Sequence, residues 1–294
     1  MPEVVIPTRG PFSLSSAARF LAGFSPLARP DAADDDVLRL AFALDGTGAP
    51  AGIALRQDGD GTVHGATFGD ADPDAVAAQA ARVLSLDVDG TPMEDVAARD
   101  PIVATLLERY GALRPVLFSS PFDAGVWAVL TQRTRFDQAI RLRERLRALA
   151  PAEVEVDGHA LRPFPGPGAL VDLEPVQGLP LPKVEWLREL ARAAAEGFLD
   201  AGRLRALPAE EALRELRELP GVGAFSAELI LVRGAGAPDV LPLAEPRVRQ
   251  AVRVLYGLPG EPSPAEMARA SEAWRPLRSW VCLLLRARLA EEPR

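Results

Sequence analysis

Leu38, Leu40, Phe42 and Leu44 alternate with Arg39, Ala41 and Ala43, and Asp45-Gly46 follows. A period of two closed by turn residues predicts a strand. Ile53-Ala54-Leu55, the turn Asp58-Gly59-Asp60-Gly61 and the stretch Thr62 to Phe68 complete a meander, and Pro73 to Leu86 reads as an Ala-rich helix. From about Pro101 the period becomes helical and strand signals fade. Ser120-Pro121-Phe122-Asp123 and Ser263-Pro264-Ala265-Glu266 each offer an N-cap serine, a proline at the first helical position and an acid at the third. The run Arg162-Pro163-Phe164-Pro165-Gly166-Pro167-Gly168 cannot continue a helix and is read as a crossing between two helical layers. The pattern predicts an α+β N-terminal domain over residues 1–105 and an all-α domain over residues 106–294, without a solenoid repeat.

Charge changes this picture only once the chain is divided. The 294 residues carry a formal charge of −8. Residues 1–105 hold 7 basic and 16 acidic side chains, whereas residues 106–294 hold 26 and 25. The acid belongs to the first domain, so an acidic total does not exclude a polyanionic partner for the second. Every basic residue except Lys183 is arginine, a bias that a GC-rich genome and phosphate contact explain equally well. No signal peptide and no long apolar run is evident, which points to the cytoplasm and to no membrane partner. The single cysteine, Cys282, excludes an internal disulfide and a cysteine-ligated iron–sulfur cluster. His64 and His159 lie outside any metal-ligand spacing, so no catalytic metal is expected.

The stretch richest in chemistry is Leu216-Arg217-Glu218-Leu219-Pro220-Gly221-Val222-Gly223-Ala224-Phe225-Ser226-Ala227-Glu228-Leu229-Ile230-Leu231. An amphipathic helix ends at Leu219, a Pro-Gly-x-Gly turn follows, and a second helix begins at once. The two glycines allow positive φ and close approach of a ligand, and the amides of the new helix point outward, an arrangement suited to phosphate. An ordinary packing corner between two helices is the alternative.

This segment resembles the DNA-binding hairpin of the helix-hairpin-helix DNA glycosylase superfamily, and Gly234 to Arg249 resembles its catalytic loop. Pro121 to Gln132 is similar to the first helix of the catalytic core. Gly178 to Trp186 is similar to the start of the helix before the hairpin, and Trp274-Arg275-Pro276-Leu277-Arg278-Ser279 to a closing Trp-x-Pro-x-Arg-Ser element. The likeness covers about two-thirds of the chain, and an α+β domain in front is the arrangement of the bacterial 3-methyladenine DNA glycosylase II (alkylation-repair) branch. It implies a monomer acting on double-stranded DNA with a damaged base: the nucleotide is flipped into a pocket, and a carboxylate assists hydrolysis of the N-glycosidic bond. That carboxylate stabilises the positive charge growing on the sugar.

Counted without gaps from the hairpin, the catalytic aspartate of the family falls on Glu245. Glutamate keeps the charge but adds one methylene, roughly 1.5 Å, and about 1 Å of misplacement can cost on the order of 100-fold in rate. The resemblance places the base pocket at Phe225, Leu229, Leu277 and Trp127; of the three aromatic positions that fall on Phe225, Leu229 and Leu277, only the first is still aromatic. Phe225 also stands where bifunctional relatives carry a Schiff-base lysine, which implies a glycosylase without strand cleavage. DNA contacts are implied for Gln132, Arg133 and Thr134, with Arg133 at the position of the intercalating wedge, and for Gly221, Val222, Gly223, Ala224, Phe225 and Ser226. The carbonyls of Arg217, Leu219 and Val222 are implied to hold a monovalent cation, and no other cofactor is expected. Three readings stay open at this stage: an alkylation-repair glycosylase, a catalytically silent protein that binds damaged or distorted duplex, and a structural helical protein without DNA affinity.

Overall fold

In the computed structural model, which describes residues 2–23, 33–34 and 37–291, a five-stranded antiparallel sheet packs against helices. Its strands are β1 (Glu3–Ile6), β2 (Ala33–Asp34), β3 (Val37–Ala43), β4 (Pro50–Gln57) and β5 (Val63–Phe68), in the order β1-β5-β4-β3-β2. The expected meander is present: Leu40 faces Ile53, and Ala54 faces Ala66. The alternation of β3 and β4 gives one face to α1 (Leu14–Gly23) and α2 (Pro73–Val83), where Leu38, Leu40, Phe42, Ile53 and Leu55 join Leu21, Val76 and Ala80 in one core.

The helices that follow are α3 (Met93–Arg99), α4 (Pro101–Tyr110), α5 (Pro121–Thr131), α6 (Phe136–Arg147), α7 (Leu181–Ala195), α8 (Ala201–Ala206), α9 (Ala209–Leu216), α10 (Ala224–Leu229), α11 (Pro246–Leu255), α12 (Pro264–Ser271) and α13 (Arg278–Ala290). Both serine caps form as their spacing requires. Ser120 accepts the Asp123 amide at 3.0 Å, and Ser263 exchanges hydrogen bonds with Glu266 in a capping box. Two apolar cores result. One is built on α5 to α10, and the other joins α11 and α13 to α3 and α4, with Val96, Val103 and Leu106 against Val248, Val252 and Val281. Asp100 locks the second core: it caps α4 through the Ile102 amide and accepts hydrogen bonds from Tyr256 Oη at 2.5 Å and Trp274 Nε1 at 2.8 Å. Helix α4 spans residue 105, and both α3 and α4 pack with the chain's last helices.

Two expectations need correction. Residues 106–294 are not all helical, because β6 (Val154–Val156) and β7 (His159–Leu161) form a hairpin. It covers the second face of the sheet, where Val154 and Val156 pack on Val37 and Ala54 and the nearly buried Arg39 donates to Asp157 at 2.8 Å. Its signal was Val-Glu-Val followed by Asp157-Gly158, both at positive φ, the dipeptide that closes two-residue hairpins. The run Arg162–Gly168 therefore leads from this hairpin toward α7 rather than from one helical layer to another.

Candidate active site and nucleic-acid interface

Helix α9 stops at Leu216, three residues before the end its pattern suggests, and turns carry the chain through Leu219. The Val222 amide closes the hairpin turn on the Leu219 carbonyl at 3.0 Å. Of the two glycines, only Gly221 takes positive φ, at +77°, and a Cβ there would lie 2.6 Å from Cδ2 of Trp186 on α7. Gly223 has φ −90° and ψ −174°, and an added Cβ would meet nothing within 4 Å. Its place is open space in front of the helix, not a strained turn. Gly221→Ala is expected to strain the turn by about 1–2 kcal/mol and to displace the indole. The measurable results are a lower unfolding temperature and duplex affinity weaker by about tenfold at fixed salt.

The loop after α5 is tied to this hairpin. Gln132 Nε2 donates to the Gly221 carbonyl at 2.6 Å and lies 3.4 Å from Ser226 Oγ. Lys183, nearly buried on α7, donates to the Leu130 carbonyl, the Gln132 carbonyl and Thr134 Oγ1 at 3.0, 2.6 and 2.7 Å. Burial lowers its pKa. The sole lysine of the chain is therefore a clamp for the loop. Between the two held residues, Arg133 stands exposed at φ +48°, a conformation that a non-glycine residue adopts only when its surroundings enforce it. The structure thus gathers Gln132, Arg133 and Thr134 beside Gly221, Val222, Gly223, Ala224, Phe225 and Ser226.

Next to the hairpin, at the seam of the two helical cores, a narrow pocket is lined by Phe225, Glu228, Leu229, Arg233, Glu245 and Arg286 among others. Phe225 is 40% exposed. Glu245 is the N-cap of α11: one oxygen accepts the Arg247 amide at 3.1 Å, and the other lies 3.5 Å from Arg286. Its side chain is mostly covered. Glu228, on the same helix as Phe225 and 6% exposed, accepts the Ala244 amide at 2.8 Å and so fastens the loop that carries Glu245. Burial pushes the Glu228 carboxyl up to about 7. Cys282 also lines the pocket as a buried thiol, pushed up to about 12 by the same cause.

The loop is held from its other end by the closing element. Arg278 Nε donates to Asp239 Oδ1 at 2.7 Å, and the Val240 amide donates to Ser279 Oγ at 3.1 Å. Two pocket assignments fail. Leu277, 1% exposed, precedes α13 and belongs to the second core. Trp127 is buried in the first core, edge-on to Phe136 with ring centroids 5.6 Å apart. In both cases the side chain is taken up by an apolar core and does not reach the pocket. Sequence reasoning missed Glu228 and Arg286, whose only signal is a charge inside an otherwise apolar helical run.

No protein-family model matches the chain. It is 32% identical over 199 residues to DNA-3-methyladenine glycosylase 2 of Escherichia coli (strain K12), spanning 64% of this chain and 66% of that protein. Among solved structures, the 3-methyladenine DNA glycosylase of Archaeoglobus fulgidus superimposes over the whole of both chains with a TM-score of 0.79 at 22% identity. The Schizosaccharomyces pombe 3-methyladenine DNA glycosylase in complex with abasic DNA matches 69% of this chain and all of that one, with a TM-score of 0.55 at 21% identity.

Proposed function

Because this chain belongs to the helix-hairpin-helix DNA glycosylase superfamily, within its 3-methyladenine branch, we propose that it is a monofunctional base-excision glycosylase that hydrolyses the N-glycosidic bond of an alkylated purine in double-stranded DNA. One observation carries the reading: a fixed, largely covered carboxylate, Glu245, shares a pocket with the exposed ring of Phe225, directly beside the hairpin. As the base departs, the sugar gains positive charge. A carboxylate preset in a water-poor pocket stabilises that charge more than bulk water does. Phe225 offers the flat face on which a flipped base stacks, and a positively charged base gains further from the ring's negative face.

Around this centre the amides of the first turn of α10 and the backbone at Gly221 and Gly223 would hold a phosphate, and Arg133 would fill the gap left in the stack. The carbonyls of Arg217, Leu219 and Val222 would hold a monovalent cation. Neutral oxygen donors suit such an ion, although the Leu219 carbonyl also accepts the Val222 amide. Hydrolysis without strand cleavage follows from the absence of an amine at Phe225 and from the engagement of Lys183 elsewhere. The protein would act as a monomer in the cytoplasm, and among the described residues no helix is long and apolar enough to cross a membrane.

The test is incubation with methylated duplex DNA. Free methylated purine is expected, with strand breaks appearing only after alkali. Breaks without alkali would remove the monofunctional reading. A second reading, a silent binder of damaged duplex, draws on the engagement of both Glu245 oxygens, one by the helix cap and one by Arg286. Tight binding without release would favour it.

A further inference from the structure

The helix that begins with α10 ends in a wider turn. Over Ile230–Gly234 the Ala235 amide reaches back five residues to the Ile230 carbonyl, at 2.8 Å, which makes this a π-turn. A helix end leaves carbonyls that need partners from elsewhere. Two are engaged here: the Phe118 amide donates to the Arg233 carbonyl at 2.9 Å, and Arg82 Nη1, from α2, donates to the Gly234 carbonyl at 2.9 Å. Gly234 is also pressed against the first turn of α5, where an added Cβ would lie 2.7 Å from Cα of Pro121 and 2.9 Å from Cβ of Ala124.

Arg82 is itself buried and fixed. Its Nη2 donates to Asp45 Oδ2 at 2.5 Å and to the Ser119 carbonyl at 2.8 Å, and Gln79 on the same helix donates to that carbonyl at 3.1 Å. Asp45 follows β3, Ser119 precedes α5, and Gly234 is where the loop toward Glu245 begins. One guanidinium thus joins three parts of the chain through charge-assisted hydrogen bonds, the stronger kind. The loop's other attachments come from the helical layer: Arg278 and Ser279 hold its middle, and Glu228 holds its end. Arg233, beside Gly234, lines the pocket. A shift of Gly234 would move Arg233 directly and Glu245 through the loop.

On this geometry we propose that Arg82 is a positioning residue for the glycosylase pocket, through which the sheet and its helix α2 set the start of the loop that carries Glu245. The inference rests on the glycosylase reading and adds a role for a part of the chain that holds neither the hairpin nor Glu245. Arg82 acts through the Gly234 carbonyl and not on the substrate. Displacing a carboxylate by about 1 Å costs on the order of 100-fold in rate. The hairpin turn lies at the opposite end of α10 from Gly234, so the same displacement leaves it in place.

The test compares two variants of the full chain. Arg82→Met removes the donor to Gly234, whereas Asp45→Asn removes the counter-charge of Arg82 and leaves that donor in place. Both break the same ion pair, and both are expected to lower the urea midpoint. Single-turnover release of 7-methylguanine from duplex DNA, followed over a range of protein concentration in the absence of urea, separates positioning from stability. Arg82→Met is expected to lower the maximal rate by about 30- to 100-fold with the half-saturating concentration within about threefold. Asp45→Asn is expected to change the maximal rate by less than about threefold.

Equal losses of rate in the two variants would overturn the proposal and leave Arg82 as half of a stabilising ion pair. So would an unchanged maximal rate in Arg82→Met, or a loss confined to the half-saturating concentration. Should Arg82→Met fail to fold, the unaltered protein decides. Hydrogen exchange in low urea is expected to open the amides of residues 235–244 together with those of α2, and opening of the loop while α2 stays protected would overturn the proposal. No release of purine by the unaltered protein would overturn the glycosylase reading and this inference with it, whereas release followed by equal losses would overturn this inference alone.

Discussion

Glu245→Gln is expected to lower the single-turnover release of an alkylated purine by about 10²- to 10³-fold, while duplex affinity stays within about threefold. Glutamine matches glutamate in size and can still accept the Arg247 amide at the start of α11, so the helix keeps its cap. What disappears is the negative charge. Arg286, now 3.5 Å from that charge, would then face the developing positive charge of the sugar with nothing between to offset it. Loss of an attraction and gain of a repulsion act in the same direction on the rate, and neither acts on the hairpin proposed to grip the phosphates. Rates determined with enzyme in excess, beside binding to an abasic duplex, separate the two effects. An unchanged rate would assign the chemistry to another group.

A second large effect concerns stability. Asp123 on α5 and Arg143 on α6 are each 1% exposed and form an ion pair, with Oδ1 and Nη1 2.6 Å apart. Ser119 Oγ donates to the other carboxylate oxygen at 2.9 Å, and the guanidinium lies 4.2 Å from the centre of the Phe164 ring. Asp123→Ala leaves a guanidinium charge deep between α5, α6 and Phe164 without the Asp123 carboxylate. Removing one partner of a buried pair in this way costs about 3–5 kcal/mol. The urea midpoint should fall accordingly. Replacing both partners, as in Asp123→Leu with Arg143→Met, is expected to recover most of the loss, because a buried ion pair gains little over well-packed apolar residues. A loss below about 1 kcal/mol in the single variant would mean that water reaches the guanidinium.

Much of this organisation is written locally in the chain. The caps at Ser120 and Ser263, the meander from β3 to β5 and the hairpin turn at Gly221 each depend on residues a few positions apart, which is the range over which propensity and capping act. The place of Glu245 in the pocket beside the hairpin was reachable because the distance from the hairpin to its loop is a property of the sequence. Glu228 and Arg286 were not, since their meaning depends on α10 and α13 turning charged residues of apolar helices toward one seam. Leu277 erred in the opposite sense: motif position placed it at the pocket, while packing carried its side chain into the second core. Lys183 lies on α7, outside the hairpin itself, and only its three contacts reveal it as the anchor of the Arg133 loop. The hairpin of β6 and β7 carried its turn dipeptide in plain view, but its three-residue strands are too short for a period to register.

The most direct test of the central claim, that this pocket breaks N-glycosidic bonds, is the number of free purines released per protein molecule when a duplex bearing 7-methylguanine is in excess. More than one free purine per molecule, with the abasic strand intact until alkali is added, is the expected result. Saturable binding of the same duplex with no purine released would contradict the claim and identify the chain as a protein that holds damaged DNA without cutting the bond.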